Sequence, residues 1–155
     1  MNVLSHRPMI KQDRDLLRSL IKESPSWQRV ECGMNELEAY LLSYEMFQGS
    51  WRVWNSPNNE PIGISYHLDW APSNERPWLG TILIHPNERN KGYGKRIIQQ
   101  IGQEQRINGH KAFYASSPAI YDDWLKFLGK CQFEQVKLET NNKNNLDYII
   151  CVKPL

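Results

Sequence analysis

The sequence lacks most of the features that mark the specialised protein classes. It has three cysteines, Cys32, Cys131 and Cys151, far apart and never in a Cys-x-x-Cys spacing. An odd, scattered set argues against a disulfide framework and reads as reduced thiols packed as small apolar side chains. The four histidines are dispersed, with no His-x-x-x-His, so no metal site is expected. A net charge of +2 leaves neither a basic tail for nucleic acid nor a patch for a membrane surface. No apolar run nears the ~20 residues of a membrane span. The start, Met1 to Pro8, has no apolar signal core. These absences predict a cytoplasmic protein without nucleic-acid or membrane partners. The Gly-x-x-x-x-Gly-Lys-Ser/Thr phosphate loop is also missing. So is the dinucleotide Gly-x-Gly-x-x-Gly, because Arg96 and Ile97 follow Gly94.

What is present is a globular composition. The 155 residues suit one domain, 1–155, and carry 40% apolar and 23% charged side chains. Val3–His6 reads as a first strand. Asp13 precedes Leu16, Leu17, Leu20 and Ile21 at helical spacing. Residues 23–27 read as loop. Asn35 to Met46 reads as a second helix, with Asn35 and Glu38 spaced as a capping box and Leu37, Tyr40, Leu41 and Tyr44 on one face. Strands are expected over 51–54, 62–68 and 78–84, separated by Pro- and Asn-rich turns. The near-continuous apolar run from Trp78 to Ile84 fits a strand buried on both faces. Gly80 within it marks a bulge or a close approach of backbone. Beyond a third helix ending near Gly109 come strand 111–115 and a helix with Tyr121, Trp124, Leu125 and Leu128 on one face. Ser117 is its expected cap, and Pro118 falls in its first turn. A closing hairpin, 134–139 with 146–152, ends the chain.

The stretch from Ile82 to Arg96 organises the rest. A strand ends at Pro86, a basic loop with two glycines follows, and Lys95 opens a helix. Glycines let the backbone take conformations closed to other residues and let a ligand come close. A helix starting there directs unpaired N–H groups and partial positive charge at one point, a site for an anion such as pyrophosphate. Arg89, Lys91, Lys95 and Arg96 surround it.

Arg89-Asn90-Lys91-Gly92-Tyr93-Gly94 resembles the Arg/Gln-x-x-Gly-x-Gly/Ala loop of the GCN5-related N-acetyltransferases, the GNAT superfamily. Ile84-His85-Pro86 is similar to that family's Val-x-Pro, and Arg7-Pro8 with Asp13 to its usual beginning. The resemblance covers essentially the whole chain. It implies an α/β GNAT fold: a mixed, mostly antiparallel sheet with helices on both faces, in the order β-α-α-β-β-β-α-β-α-β-β. It implies an N-acetyltransferase with acetyl-CoA as co-substrate and a small-molecule or peptide amine as acceptor, with a homodimer left open. The cofactor contacts it implies are the main chain of Ile82, Leu83 and Ile84, the loop residues Arg89, Asn90, Lys91, Gly92, Tyr93, Gly94 and Lys95, and Ser117. The alternative is a non-catalytic acyl-CoA-binding module of the same fold.

Two departures from the family bear on chemistry. The family tyrosine that protonates the leaving thiolate falls on Leu128, or on Leu125 in a second alignment. Tyr121 is the expected replacement, as general acid, or else a packing residue. Ser116 or Ser117 stands where relatives carry an Asn. Central-strand positions that often hold Glu carry Gly80 and Thr81, which leaves the general base open among His67, Asp69, Glu75 and His85. Trp27, Trp51, Trp54, Trp70 and Trp78 precede the glycine loop; they are either core or a border for an apolar or cationic amine.

Overall fold

The computed structural model describes residues 3–155. The strands are β1 (His6–Pro8), β2 (Ser50–Asn55), β3 (Pro61–Leu68), β4 (Trp78–Ile84), β5 (Ala112–Pro118), β6 (Glu134–Asn141) and β7 (Leu146–Pro154). The helices are α1 (Arg14–Lys22), α2 (Pro25–Val30), α3 (Leu37–Glu45), α4 (Tyr93–Ile107) and α5 (Asp122–Lys130). The strand order is β1-β2-β3-β4-β5-β7-β6, and the sheet is mixed and mostly antiparallel, as the resemblance implied. The chain divides into two compact units, residues 1–68 with 80–96, and residues 69–79 with 97–155.

In the first unit β1 and β3 flank β2, with Arg7 opposite Val53 and Val53 opposite Ile64. Its core gathers Leu17, Leu20 and Ile21 of α1, Leu37, Tyr40 and Leu41 of α3, and Val53, Ile64 and Leu83 from the strands. The spacing of α1's apolar residues puts them on one stripe, which is the face that is buried. Asp13 anchors the approach to this helix. Both its carboxylate oxygens accept from the Arg7 guanidinium, at 2.7 and 2.8 Å, and Oδ2 also accepts from the Ile10 N–H. Gly80 lets the Tyr66 ring lie against β4: a Cβ there would sit 2.7 Å from Tyr66 Cδ2. The reason for this glycine is therefore close approach.

In the second unit β7 lies between β5 and β6, with Ser117 opposite Ile149 and a register shift between Gln135 and Lys137. Phe113 packs on Phe133 with ring centroids 6.0 Å apart. Ile97, Ile98 and Ile101 of α4 and Leu128 of α5 are buried. The one β4–β5 register pair is Trp78 with Tyr114, whose rings stack at 5.3 Å.

The structure corrects four local expectations. The first strand is His6–Pro8 rather than 3–6; Leu4, the buried residue that carries the apolar signal there, precedes it. Residues 25–30 form α2 instead of a loop, so three helices separate β1 from β2. Pro25 suits the first helical turn, and Gln28 N–H bonds back to the Ser24 carbonyl at 3.1 Å. Asn35 lies inside a 3-10 turn (Met34–Glu36) and does not cap α3, while Glu38 pairs with Arg14 and Arg18. Ser117 belongs to β5 and does not cap α5. Its hydroxyl donates to the Pro118 carbonyl at 3.0 Å, and Tyr121 occupies the position before the helix. Among the described residues no helix is long and apolar enough to cross a membrane.

Candidate functional site

The first unit carries the glycine loop as the sequence placed it. β4 ends at Ile84, a 3-10 turn covers Pro86–Glu88, and α4 starts at Tyr93. Asn90 and Gly92 both take positive φ, 63° and 83°. Asn tolerates that region and Gly adopts it freely. A Cβ on Gly92 would meet nothing within 4 Å, so the glycine is required there by backbone conformation and not by crowding. Gly94 lies in the first turn of α4. The helix starts directly after Gly92, and its first amides have no intrahelical partners.

The cations of the loop divide by what they hold. Arg89 is a clamp. Its Nε donates to the Ile84 carbonyl at 3.0 Å, and its Nη2 donates to the Glu23 carbonyl at 3.1 Å and to Ser24 Oγ at 3.2 Å. It ties the loop to the end of β4 and to the α1–α2 junction. Lys91 pairs with Glu88 at 3.2 Å. The Arg96 guanidinium stands 5.6 Å over the Tyr93 ring. Lys95 is exposed and makes no ion pair among the described residues, so it is the loop cation most available to an anion. His85 is occupied too: its Nδ1 accepts from the Asn87 N–H at 3.2 Å, which assigns its proton to Nε2.

A second feature of this unit went unread in the sequence. Glu31, just past the end of α2, is half-buried among aromatic rings. Its Oε2 accepts from the hydroxyls of Tyr40, at 3.2 Å, and Tyr44, at 3.4 Å. Burial raises the Glu31 carboxyl above the usual carboxylate range, against the opposing pull of the two phenols. Burial and the nearby Glu31 charge push Tyr44 up to about 12 and Tyr40 higher still. Thr81 Oγ1 of β4 accepts from Trp27 Nε1 at 3.4 Å. The Trp27 and Tyr40 rings meet edge to face at 5.5 Å, and Trp51 packs on Tyr40 and Tyr44 at 6.5 and 6.4 Å. Trp27 and Trp51 are thus the two tryptophans that border a polar centre. Trp54 is buried with its indole N–H on Ser65 Oγ at 2.7 Å, Trp78 stacks on Tyr114, and Trp70 is exposed.

In the second unit, Tyr121 is half-buried at the start of α5, and its hydroxyl makes no hydrogen bond among the described residues. Leu128 is fully buried and Leu125 half-buried, so neither family alignment supplies a hydroxyl from this helix. Asp69 accepts from Gln105 Nε2 at 2.7 Å, and Glu75 sits in an exposed turn. Of the sequence-named bases, His67 is the buried one.

No family model matches the chain. It is 44% identical over 140 residues to the uncharacterized protein YkzC of Bacillus subtilis, covering 90% of this chain and 96% of that one. The chain belongs to one family with YkzC. Its backbone is similar to a GNAT family acetyltransferase from Elizabethkingia anophelis with acetyl-CoA bound, over all of both chains, with a TM-score of 0.71 and 17% identity. It is similar also to the spermidine/spermine N-acetyltransferase SpeG of Vibrio cholerae, over 97% of this chain and 92% of that one, with a TM-score of 0.67 and 15% identity. These likenesses show that the chain has the GNAT fold.

Proposed function

We propose that the protein transfers an acetyl group from acetyl-CoA to a primary amine, by direct attack within a ternary complex. The observation that carries this reading is the loop before α4, with positive φ at Asn90 and Gly92 and exposed Lys95, in a chain with the GNAT fold. The residues fit a pyrophosphate: helix-start amides without intrahelical partners, an exposed cation, Lys95, and a clamp, Arg89, that holds the loop's shape without ligand. Bound there, acetyl-CoA supplies an activated acyl carbon. The main chain of Ile82, Leu83 and Ile84 offers hydrogen bonds to the pantetheine arm, and an N–H of this strand polarises the acyl oxygen. Asn90, Lys91, Gly92, Tyr93, Gly94 and Lys95 take the phosphates. The roles of Ser117, as a cofactor contact, and of Tyr121, as proton donor to the departing thiolate, belong to the same proposal. For Tyr121 the support is a hydroxyl that no other group engages.

Gly92→Val tests the loop. A β-branched residue at φ 83° is strained, so the loop must leave this conformation while the fold, with no clash to relieve, persists. Coenzyme A affinity by calorimetry is expected to fall at least about tenfold, the factor that ~1.4 kcal/mol of lost binding produces. Unchanged affinity in the folded variant overturns the assignment. Tyr121→Phe tests the donor: a general acid contributes on the order of 10²–10⁴-fold in rate, so kcat drops while acetyl-CoA affinity holds. The second reading, an acyl-CoA-binding module without chemistry, is favoured by the buried Leu128 where the family has its tyrosine. Coenzyme A binding without turnover would establish it.

A further inference from the structure

The first unit holds a half-buried carboxylate without a matching cation. Glu31 is in no ion pair among the described residues, and the groups that shift its proton affinity are burial and two phenols, with no Lys or Arg among them. Buried carboxylates in folded proteins are normally paired, because desolvating an isolated charge is costly. Two phenols offset part of that cost by donating to Oε2. Aromatic faces carry negative potential, and Tyr40 and Tyr44, which bond this acid, pack with Trp27 and Trp51 in one aromatic cluster. A carboxylate and a set of ring faces are both complementary to the same ligand, an organic cation. Among the described residues only Oε2 accepts hydrogen bonds; Oε1 accepts none, so one strong acceptor is left for a ligand N–H. The aromatic cluster also reaches β4, where Trp27 Nε1 donates to Thr81 Oγ1 at 3.4 Å.

We propose that Glu31, bonded by Tyr40 and Tyr44 at the edge of the cluster that they form with Trp27 and Trp51, is the seat of the acceptor's ammonium group, and that the acceptor is therefore a cationic alkylamine. This rests on the acetyl-transfer reading for the word acceptor; the cation site stands on its own residues. On binding, the ammonium donates an N–H to Oε1 and lies against ring faces. When the amine gives up its proton, Glu31 takes it: one N–H bond breaks, one O–H bond forms, the pair becomes neutral amine and carboxylic acid, and the nitrogen lone pair is freed.

The test is a titration of the full-length protein with butylammonium chloride and, as the neutral match, butan-1-ol. The indole N–H signals of Trp27 and Trp51 are followed by NMR, with coenzyme A affinity measured in parallel by calorimetry. Butylammonium is expected to shift both signals saturably, and butan-1-ol to shift neither. Glu31→Gln keeps an acceptor for the two phenols and removes the charge. It should weaken butylammonium binding on the order of 10- to 100-fold, the scale of a lost charge-assisted hydrogen bond, and leave coenzyme A affinity unchanged. Equal binding of butan-1-ol and butylammonium by the native protein overturns the proposal even if the variant does not fold. So does a Glu31→Gln protein that binds butylammonium as the native one does. Butylammonium binding without coenzyme A binding supports the cation site and overturns the acetyl-transfer reading; the reverse pattern overturns the cation site alone.

Discussion

Two carboxylates in the first unit are held in opposite ways, and each has its own pH signature. Asp13 is kept ionised by its hydrogen bonds from Arg7, which lower its proton affinity against the opposing cost of burial. Its contribution is present above the unfolded value, near ~3.9, and is lost as pH falls through the lower folded value. Asp13→Asn is expected to cost about 1.5–3 kcal/mol at pH 7, the range for hydrogen bonds to a charged group. Denaturant melts should show that cost shrinking once the pH drops below ~4. Glu31 runs the other way. Burial raises its folded value, so its favourable contribution is complete below the unfolded value and is lost as pH rises through the folded one. Its ionised form is therefore a burden at neutral pH. Thermal melts of Glu31→Gln should show a Tm gain over the native protein at pH 7.5 that disappears near pH 4. A gain independent of pH would mean that Glu31 is not charged in the fold at neutral pH. A residue retained at a cost to stability is what a ligand site requires.

At the scale of elements, the strand–loop–helix from β4 to α4 was readable because its instructions are local. Positive φ falls on Asn90 and Gly92, residue types suited to it, and an apolar run sets off β4. α2 was not readable in the same way. Six residues are too few to show a 3.6-residue period, and Pro25 before Ser26 resembles a turn as much as a helix start. Glu31 escaped for a different reason. Nothing local separates it from Glu23, Glu36 or Glu38; its burial depends on tyrosines nine and thirteen residues further on. The one usable signal was the pair Tyr40 and Tyr44, four apart on α3, since two phenols on a core-facing stripe need a polar partner. Charges in the loop were legible as residue types but not in their duties. Only packing shows that Arg89 is a clamp and Lys95 is available. Lys95→Ala should therefore weaken coenzyme A more than Lys91→Ala does, with the difference narrowing in added salt as exposed charges are screened. Equal losses, or no salt dependence, would place the phosphates elsewhere.

For the molecule as a whole, the mixed, mostly antiparallel sheet is what the GNAT resemblance implied, and in the order of elements along the chain the change is a third helix before β2. The single-domain reading enters here as part of the proposal. It leads to one cooperative thermal transition, which saturating coenzyme A shifts upward, about 2.7 kcal/mol at a hundred times Kd. Two separate transitions, with one alone responding to coenzyme A, would divide the chain functionally as well as structurally. The central claim, acetyl transfer to an amine, is tested most directly by thiol release from acetyl-CoA, read with a thiol reagent in the presence of butylamine or spermidine. The protein's own cysteines are all buried and leave a low background. Thiol should appear only when acetyl-CoA and amine are both present, and slowly with Glu31→Gln. A protein that binds coenzyme A yet releases no thiol with any amine would contradict the account and leave a binding module in its place.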